Sequence, residues 1–453
     1  MTAAPSLGSP PARPDFAGPA SDDLDGDAAR LAAYVADLEK RLARLPRRPE
    51  RDEADRRAAD ALLADARAAR RAFLAGHAEG VYDELTDART RHLRLSDLVL
   101  AAAERFPGLV PDQAAMAGEL SLIQAQREGR EIDQGIFCAA VLRSPSAGTH
   151  LIDAMLRPTG RAIQLRQEFR RTGRIRLSSV EVERRDGTAH VTFHNGGALN
   201  AEDGRLVADL ETAVDLVLLD DQVRVGVLRG GPVDHPRYAG RRVFSAGINL
   251  KDLRNGRISF VAFLMERELG PINKIVRGLL TDPAAAAWSD RTVQKPWIGA
   301  VDSFAIGGGM QLLLVMDRVV AETGSYFSLP AAEEGIVPGL GNLRLARAAG
   351  SRLARRIILG GERLDAGAPE SSTVCDEVVA PAEMQAAIER AAADLSAPAV
   401  VANRRMLTLA EEPLDHYREY LAEFAVAQSV RAYSDDVLDK VERRWQRSVA
   451  EGA

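Results

Sequence analysis

Apolar residues recur at helical spacing through the first third of the chain. Leu31, Tyr34, Val35, Leu38, Leu42 and Leu45 share one face of a 3.6-residue period, and Pro46 with Pro49 ends that segment. Leu62, Ala66, Ala69 and Phe73 repeat the pattern. Helical signals continue through 92–106, 112–128 and 150–156, broken at Pro107, Pro111 and Pro145. Ahead of them, residues 1–26 carry Pro5, Pro10, Pro11, Pro14 and Pro19 among Ala, Gly, Ser and Asp, which predicts a disordered tail. An all-helical N-terminal domain is expected over 27–176.

The period changes near Leu177. Residues 181–184 and 190–194 flank Asp186-Gly187, a hairpin signal. Leu206, Leu210, Ala213, Val214 and Val217 mark an amphipathic helix, and 223–229 reads as a buried strand. Short strands are expected at 243–245, 297–301 and 318–321, with helical stretches between them. Strands alternating with helices predict the α/β fold class over 177–380. From Pro381 the chain turns helical again, around 384–395 and 414–430. This last region, 381–453, is assigned to oligomerisation.

Composition narrows the classes. The chain has 453 residues, long enough for two or three domains, with 46% hydrophobic and 27% charged residues. A net charge of −6 gives no general attraction for nucleic acid. The strongest apolar run, Met310 to Met316, is far short of the ~20 residues that cross a bilayer. No membrane partner is expected, and a cytoplasmic place is the default. Cys138 and Cys375 cannot build a disulfide framework and have no Cys or His neighbour at metal-ligand spacing. His190 and His194 share a strand face but lie ~13 Å apart along it, too far to chelate one ion. No metal site is expected. Gly339-Leu-Gly341 lacks the third glycine of a dinucleotide loop, and neither a phosphate loop nor a G-x-S-x-G elbow is present.

Two glycine-bearing segments remain. Phe244-Ser-Ala-Gly-Ile-Asn-Leu-Lys251 reads as a strand entering a turn, and Ile306-Gly-Gly-Gly-Met-Gln311 as a loop entering an apolar helix. Consecutive glycines let backbone approach a ligand closely. The first N–H groups of a helix are unpaired. One N–H from each turn could therefore converge on a thioester oxygen and stabilise an enolate.

With Ala198-Leu-Asn200, Lys295-Pro-Trp-Ile-Gly-Ala300 and Gly335-Ile-Val-Pro-Gly339, in this order, the two turns resemble the crotonase (enoyl-CoA hydratase/isomerase) family over about 180–380. The resemblance implies a crotonase-like β-β-α spiral core, here with a helical N-terminal extension and C-terminal helices. It also implies an acyl-CoA substrate and a homo-oligomer, a trimer or dimer of trimers. Carried over, the oxyanion donors are the N–H groups of Ile248 and Gly308. Ala246, Gly247, Asn249 and Gly309 complete the two turns, and Lys251 meets the CoA part. His235, Arg237 and Tyr238 lie in a loop that passes the nucleotide or pantetheine in relatives.

The departures matter more. One hydratase glutamate falls at Gln311 here, and the other at Ala331 after Pro330. Neither residue titrates near neutral pH. Glu333 and Glu334 are displaced by two or three residues. Efficient hydration is not expected. The segments 242–256, 307–317 and 330–341, with the long helical extension, resemble a branch of the family found in glycopeptide-antibiotic biosynthesis. That branch oxidises an aryl-acetyl-CoA with O2 and needs no cofactor, neither metal nor flavin. CoA is part of its substrate. Ile248, Leu250, Ile336 and Pro338 are the apolar residues expected to line a dry O2 pocket, with core packing as the other reading. Glu202 is a candidate partner for a ring hydroxyl. Arg267, in Met265-Glu-Arg-Glu268, is either an inward guanidinium for that hydroxyl or a surface ion-pair member. Gln311 is a candidate for orienting substrate. The α-proton base is not identifiable. Other readings are an aryl-acetyl-CoA thioesterase or isomerase, an RNA-binding protein and an inert scaffold, the last disfavoured by intact glycine turns.

Overall fold

Trp297–Val301 is apolar at every position, and all five residues are buried. In the computed structural model of the chain it lies inside a sheet covered on both faces. The structure describes residues 11–16, 23–282, 284–285, 291–440 and 442–443. Part of the tail predicted over 1–26 lies outside the described residues. Of the rest, Phe16 is buried and meets Phe73 edge-on at 5.6 Å, and a helix begins at Leu24.

The chain divides into two compact units. The first holds residues 1–154, 254–256 and 417–438. Its helices include Leu24–Leu42, Glu53–Leu85, Leu95–Arg105, Gln113–Leu120 and Glu131–Arg143. The helix expected over 112–128 stops at Leu120, because the Glu119 carboxylate accepts the N–H groups of Glu128, Gly129 and Arg130 and folds the chain back. The helix expected at 150–156 starts at Pro145, since proline is tolerated in a first turn. Glu131–Arg143 escapes periodicity analysis because nearly every side chain is buried, leaving no polar stripe.

The second unit holds 155–253, 257–416 and 439–453. Its seven-stranded sheet runs in the order Arg174–Arg176, Val180–Arg185, Thr188–Phe193, Val225–Gly230, Trp297–Val301, Arg318–Glu322, Glu377–Val379. The first three strands are antiparallel and the others parallel. Phe304–Ile306, Tyr326–Ser328 and Leu364–Asp365 form a smaller sheet. The repeat is a strand in the large sheet, a strand in the small one, then a helix. Trp297–Val301, Phe304–Ile306 and Gly308–Leu313 make one such turn of the spiral. The strand expected at 243–245 is absent as a ladder; Ser245 alone bridges Ala305.

Alternation sorts the central strands between two cores. Trp297 and Val301 join Leu210, Val214 and Val217 of helix Gly204–Leu219. Ile298 and Ala300 pack on Ile388 and Ala391 of helix Met384–Leu395. No helix among the described residues is long and apolar enough to cross a membrane.

Lys295 closes the carbonyl end of Gly204–Leu219, its Nζ donating to Val217 O at 2.7 Å and Asp220 O at 2.6 Å. Burial lowers its pKa to about 8. The folded protein therefore binds fewer protons than the unfolded chain between about pH 8 and the ordinary lysine value. Stability contributed at this site rises with pH through that window. Replacing Lys295 by Met should flatten the rise of unfolding free energy between pH 8 and 10 relative to the parent, a difference of order 3 kcal/mol measurable by denaturant titration. Parallel curves for the two proteins would refute it.

Candidate active site

The first glycine turn is set by a buried asparagine. Asn200 sits at φ 52°, accepts from Asn195 N–H at 2.9 Å, and donates to Val243 O at 2.7 Å and Gly231 O at 3.1 Å. This anchors Glu202, whose backbone brackets residue 248. Its N–H donates to Gly247 O at 2.7 Å, and its carbonyl accepts from Asn249 N–H at 2.9 Å. Gly247 has φ 82°, which its missing Cβ permits.

The second turn is tied to the first through Ser245, whose carbonyl accepts from Ile306 N–H at 2.9 Å. Gly307 N–H reaches Ser328 O at 2.8 Å. A Cβ on Gly247 would lie 3.0 Å from Ile306 O and 3.5 Å from Gly308 N, so the two turns are in contact. Among the described residues, neither Ile248 N–H nor Gly308 N–H has an acceptor. The fold thus brings together two neighbouring, unpaired backbone donors.

Beside them is a buried charge cluster. Arg267 is 5% exposed and Glu202 is 1% exposed. The guanidinium forks onto the Glu202 carboxylate, with Nη2 to Oε1 at 3.1 Å. Nη2 also donates to Gly308 O at 2.8 Å. Nη1 donates to Glu268 Oε1 at 2.9 Å and Gln311 Oε1 at 3.1 Å. All five guanidinium hydrogens are engaged by the protein. Arg267 is therefore neither a surface ion-pair member nor a free donor for a ligand; it holds its neighbours in place. A guanidinium only donates, so it fixes the oxygen of the Gln311 amide toward itself. Gln311 Nε2 is left without an acceptor among the described residues and is not sealed off from solvent. That amide nitrogen and the Glu202 oxygens, which have lone pairs beyond their bonds to Arg267, retain hydrogen-bonding capacity.

The cluster extends inward. Glu268 faces Arg344 at 3.4 Å, and Arg344 forks onto Glu412 at 2.9 and 3.0 Å. Burial raises Glu268 above the usual carboxylate range, against the opposing charges of Arg267 and Arg344. Burial also works against the charge of Arg267, but Glu202 and Glu268 outweigh it and its pKa rises. Burial acts on Glu412 too, yet Arg344 and Arg277 hold that carboxyl below the ordinary range. Glu268, Arg344 and Glu412 were not singled out by the sequence analysis. The available signal was a charged triplet, Glu266-Arg267-Glu268, set inside the otherwise apolar stretch from Phe260 to Ile272.

The other candidates spread outward. Gly309 abuts Ser245, where a Cβ would come within 2.8 Å. Ala246 N–H donates to Leu199 O at 3.2 Å, and Asn249 Oδ1 accepts from Asp252 N–H at 3.2 Å. Lys251 is exposed on the short helix that follows the first turn. His235 and Tyr238 lie 5.8 Å apart, Arg237 covers Tyr238, and Tyr238 meets Phe304 edge-on at 5.3 Å. Leu250 and Ile336 are half-buried and Pro338 is buried. Gly339, next to Pro338, approaches the cluster: a Cβ there would fall 2.2 Å from Glu268 Oε1 and 2.9 Å from Gln311 Oε1. Ala331 is buried where hydratases carry an acid. Glu333 does not replace it, since its carboxylate lies against Gly361 at the far end of the next helix. Among the described residues, no group of three His, Cys, Asp or Glu side chains is placed to hold a metal ion.

Residues 183–423 match the family described as enoyl-CoA hydratase/isomerase. The chain is 56% identical over 415 residues to a (3,5-dihydroxyphenyl)acetyl-CoA 1,2-dioxygenase of Amycolatopsis orientalis, covering 92% of this chain and 95% of that one. It is 31% identical over 203 residues to a probable enoyl-CoA hydratase of Rhizobium meliloti (strain 1021), covering 45% and 68%. A crystal structure of an enoyl-CoA hydratase/isomerase from Xanthobacter autotrophicus Py2 is 21% identical, with a TM-score of 0.49 over 59% of this chain and 94% of that one. On its matched segment and its near full-length likeness to the dioxygenase, the chain belongs to the enoyl-CoA hydratase/isomerase, or crotonase, family.

Proposed function

We propose that this chain is a cofactor-independent dioxygenase, cytoplasmic, that converts (3,5-dihydroxyphenyl)acetyl-CoA and O2 to 3,5-dihydroxyphenylglyoxylate and CoA. The observation that carries this reading is the pair of free N–H groups at Ile248 and Gly308, with Gln311 and Ala331 where a hydratase has acids. The dioxygenase likeness over almost the whole chain supports the same substrate.

The thioester carbonyl sits between the two N–H groups, each contributing about 2.7–4 kcal/mol to a developing oxyanion. The α-proton, acidified by both carbonyl and ring, leaves to give an enolate. The enolate passes one electron to O2, and the radical pair recombines to an α-peroxide. The terminal peroxide oxygen attacks the thioester carbonyl and expels CoA thiolate. Loss of the second α-proton then cleaves the O–O bond and leaves the keto acid. Both atoms of O2 end in the product. Glu202 accepts a ring hydroxyl, and Gln311 Nε2 donates to the substrate. Ile248, Leu250, Ile336 and Pro338 keep water from the carbanion. His235, Arg237, Tyr238 and Lys251 are assigned to the CoA part. The chain assembles as a trimer or dimer of trimers through the helices past Pro381. Met406 at 63% exposure and Leu407 at 57%, both on helix Pro398–Glu411, supply apolar surface for that contact.

Purified protein should consume one O2 per (3,5-dihydroxyphenyl)acetyl-CoA at an oxygen electrode, at the same rate with and without chelator. Activity that chelation removes and iron restores would end the cofactor-free reading; CoA release without O2 uptake would mark a thioesterase. Ile336→Asp should slow the O2 step about tenfold or more while leaving thioester affinity nearly unchanged, as read from rates across O2 concentrations. Sedimentation should give a trimer or hexamer, and Met406→Glu with Leu407→Lys should shift it toward monomer; an unchanged assembly would place the interface elsewhere.

A further inference from the structure

Arg267 and Glu268 are consecutive, and in an α-helix such side chains diverge by about 100°. Here the backbone is π-helical over Phe260–Met265 and Glu268–Ile272, a wider winding found often at functional sites. The two side chains meet at 2.9 Å. Glu268 is 2% exposed and lies between two guanidinium groups. Its Oε1 takes one of the two Nη1 hydrogens of Arg267, so a single hydrogen remains for Gln311 Oε1. The same oxygen fills the space beside Gly339. Glu268 thus helps fix how the Nη1 end of Arg267 is turned, alongside the Glu202 fork and Gly308 O, and that end is the one that meets Gln311. Aliphatic side chains of similar size often stabilise a protein interior as well as a buried ion ladder does. What they cannot supply is this fixed orientation.

We propose that Glu268 is a positioning residue that sets selectivity for a hydroxylated ring, by locking Arg267 so that the Glu202 carboxylate and the Gln311 amide face the substrate in one arrangement. The proposal rests on the dioxygenase reading for the identity of the ring. Glu268 itself touches no reacting atom.

The test is calorimetric binding under anaerobic conditions, which needs no turnover. The parent and Glu268→Gln would each be titrated with (3,5-dihydroxyphenyl)acetyl-CoA and with phenylacetyl-CoA. In the variant the Kd for the dihydroxylated thioester should rise about tenfold, the loss of roughly one well-aligned hydrogen bond, with the Kd for phenylacetyl-CoA within about twofold of the parent. A general structural defect would weaken both thioesters alike, and that result, or no change in either, overturns the proposal. A parent that does not distinguish the two thioesters overturns it as well. Should the Gln variant fail to fold, Glu268→Asp keeps the charge and withdraws it, and must show the same one-sided loss to a smaller degree. A parent that binds (3,5-dihydroxyphenyl)acetyl-CoA more tightly than phenylacetyl-CoA yet consumes no O2 sinks the dioxygenase reading alone.

Discussion

A single guanidinium with no hydrogen left over organises the candidate site in the second unit. Arg267 joins a carboxylate from the loop after Asn200, the carbonyl of Gly308, an amide from the helix that begins there, and its own neighbour Glu268. A buried arginine is expensive to desolvate unless each donor has an acceptor and its charge is balanced. Two carboxylates meet that demand, and Arg344 and Glu412 continue the alternation of sign. The requirement propagates. Gly308 has no room for a side chain, since a Cβ would fall 2.2 Å from Glu202 Oε1, and Gly339 is equally confined by Glu268.

The same packing separates this chain from a hydratase. A glutamate at position 311 would add a third carboxylate to Arg267 and remove the donor that the Gln311 amide supplies. Glutamine adds no charge and keeps an N–H2 group at the edge of the site. Ala331, buried and apolar, withholds the second acid. Together they favour carbanion chemistry over addition of water.

Much of this was legible in the sequence, for identifiable reasons. The buried strands and the helix Gly204–Leu219 follow directly from period and composition. The two glycine turns are local motifs whose spacing survives in one dimension. Glu202, Arg267 and Gln311 were each picked out singly, and the fold brings Glu202 and Gln311 within hydrogen-bonding distance of Arg267. Their division of labour was not legible. Whether an arginine is free or saturated depends on acceptors 41 and 65 residues away. Glu268 was hidden by the rule that consecutive helical side chains do not face each other; here both are long, and they meet at the junction where an α-helical Arg267 leads into a π-helical turn. The isolated bridge at Ser245 was read as a strand because apolar residues precede it; its pairing is a tertiary matter.

Glu202 deserves to be seen from both of its ends. Its main chain clamps the turn that carries Ile248, while its carboxylate, through Arg267, reaches the carbonyl of Gly308. One amino acid is thus a hinge pin common to both backbone donors. Remodelling the pocket for a different ring at this position would also disturb the geometry around the two amides. A designer seeking a wider substrate range should therefore leave residue 202 alone and change residues peripheral to it.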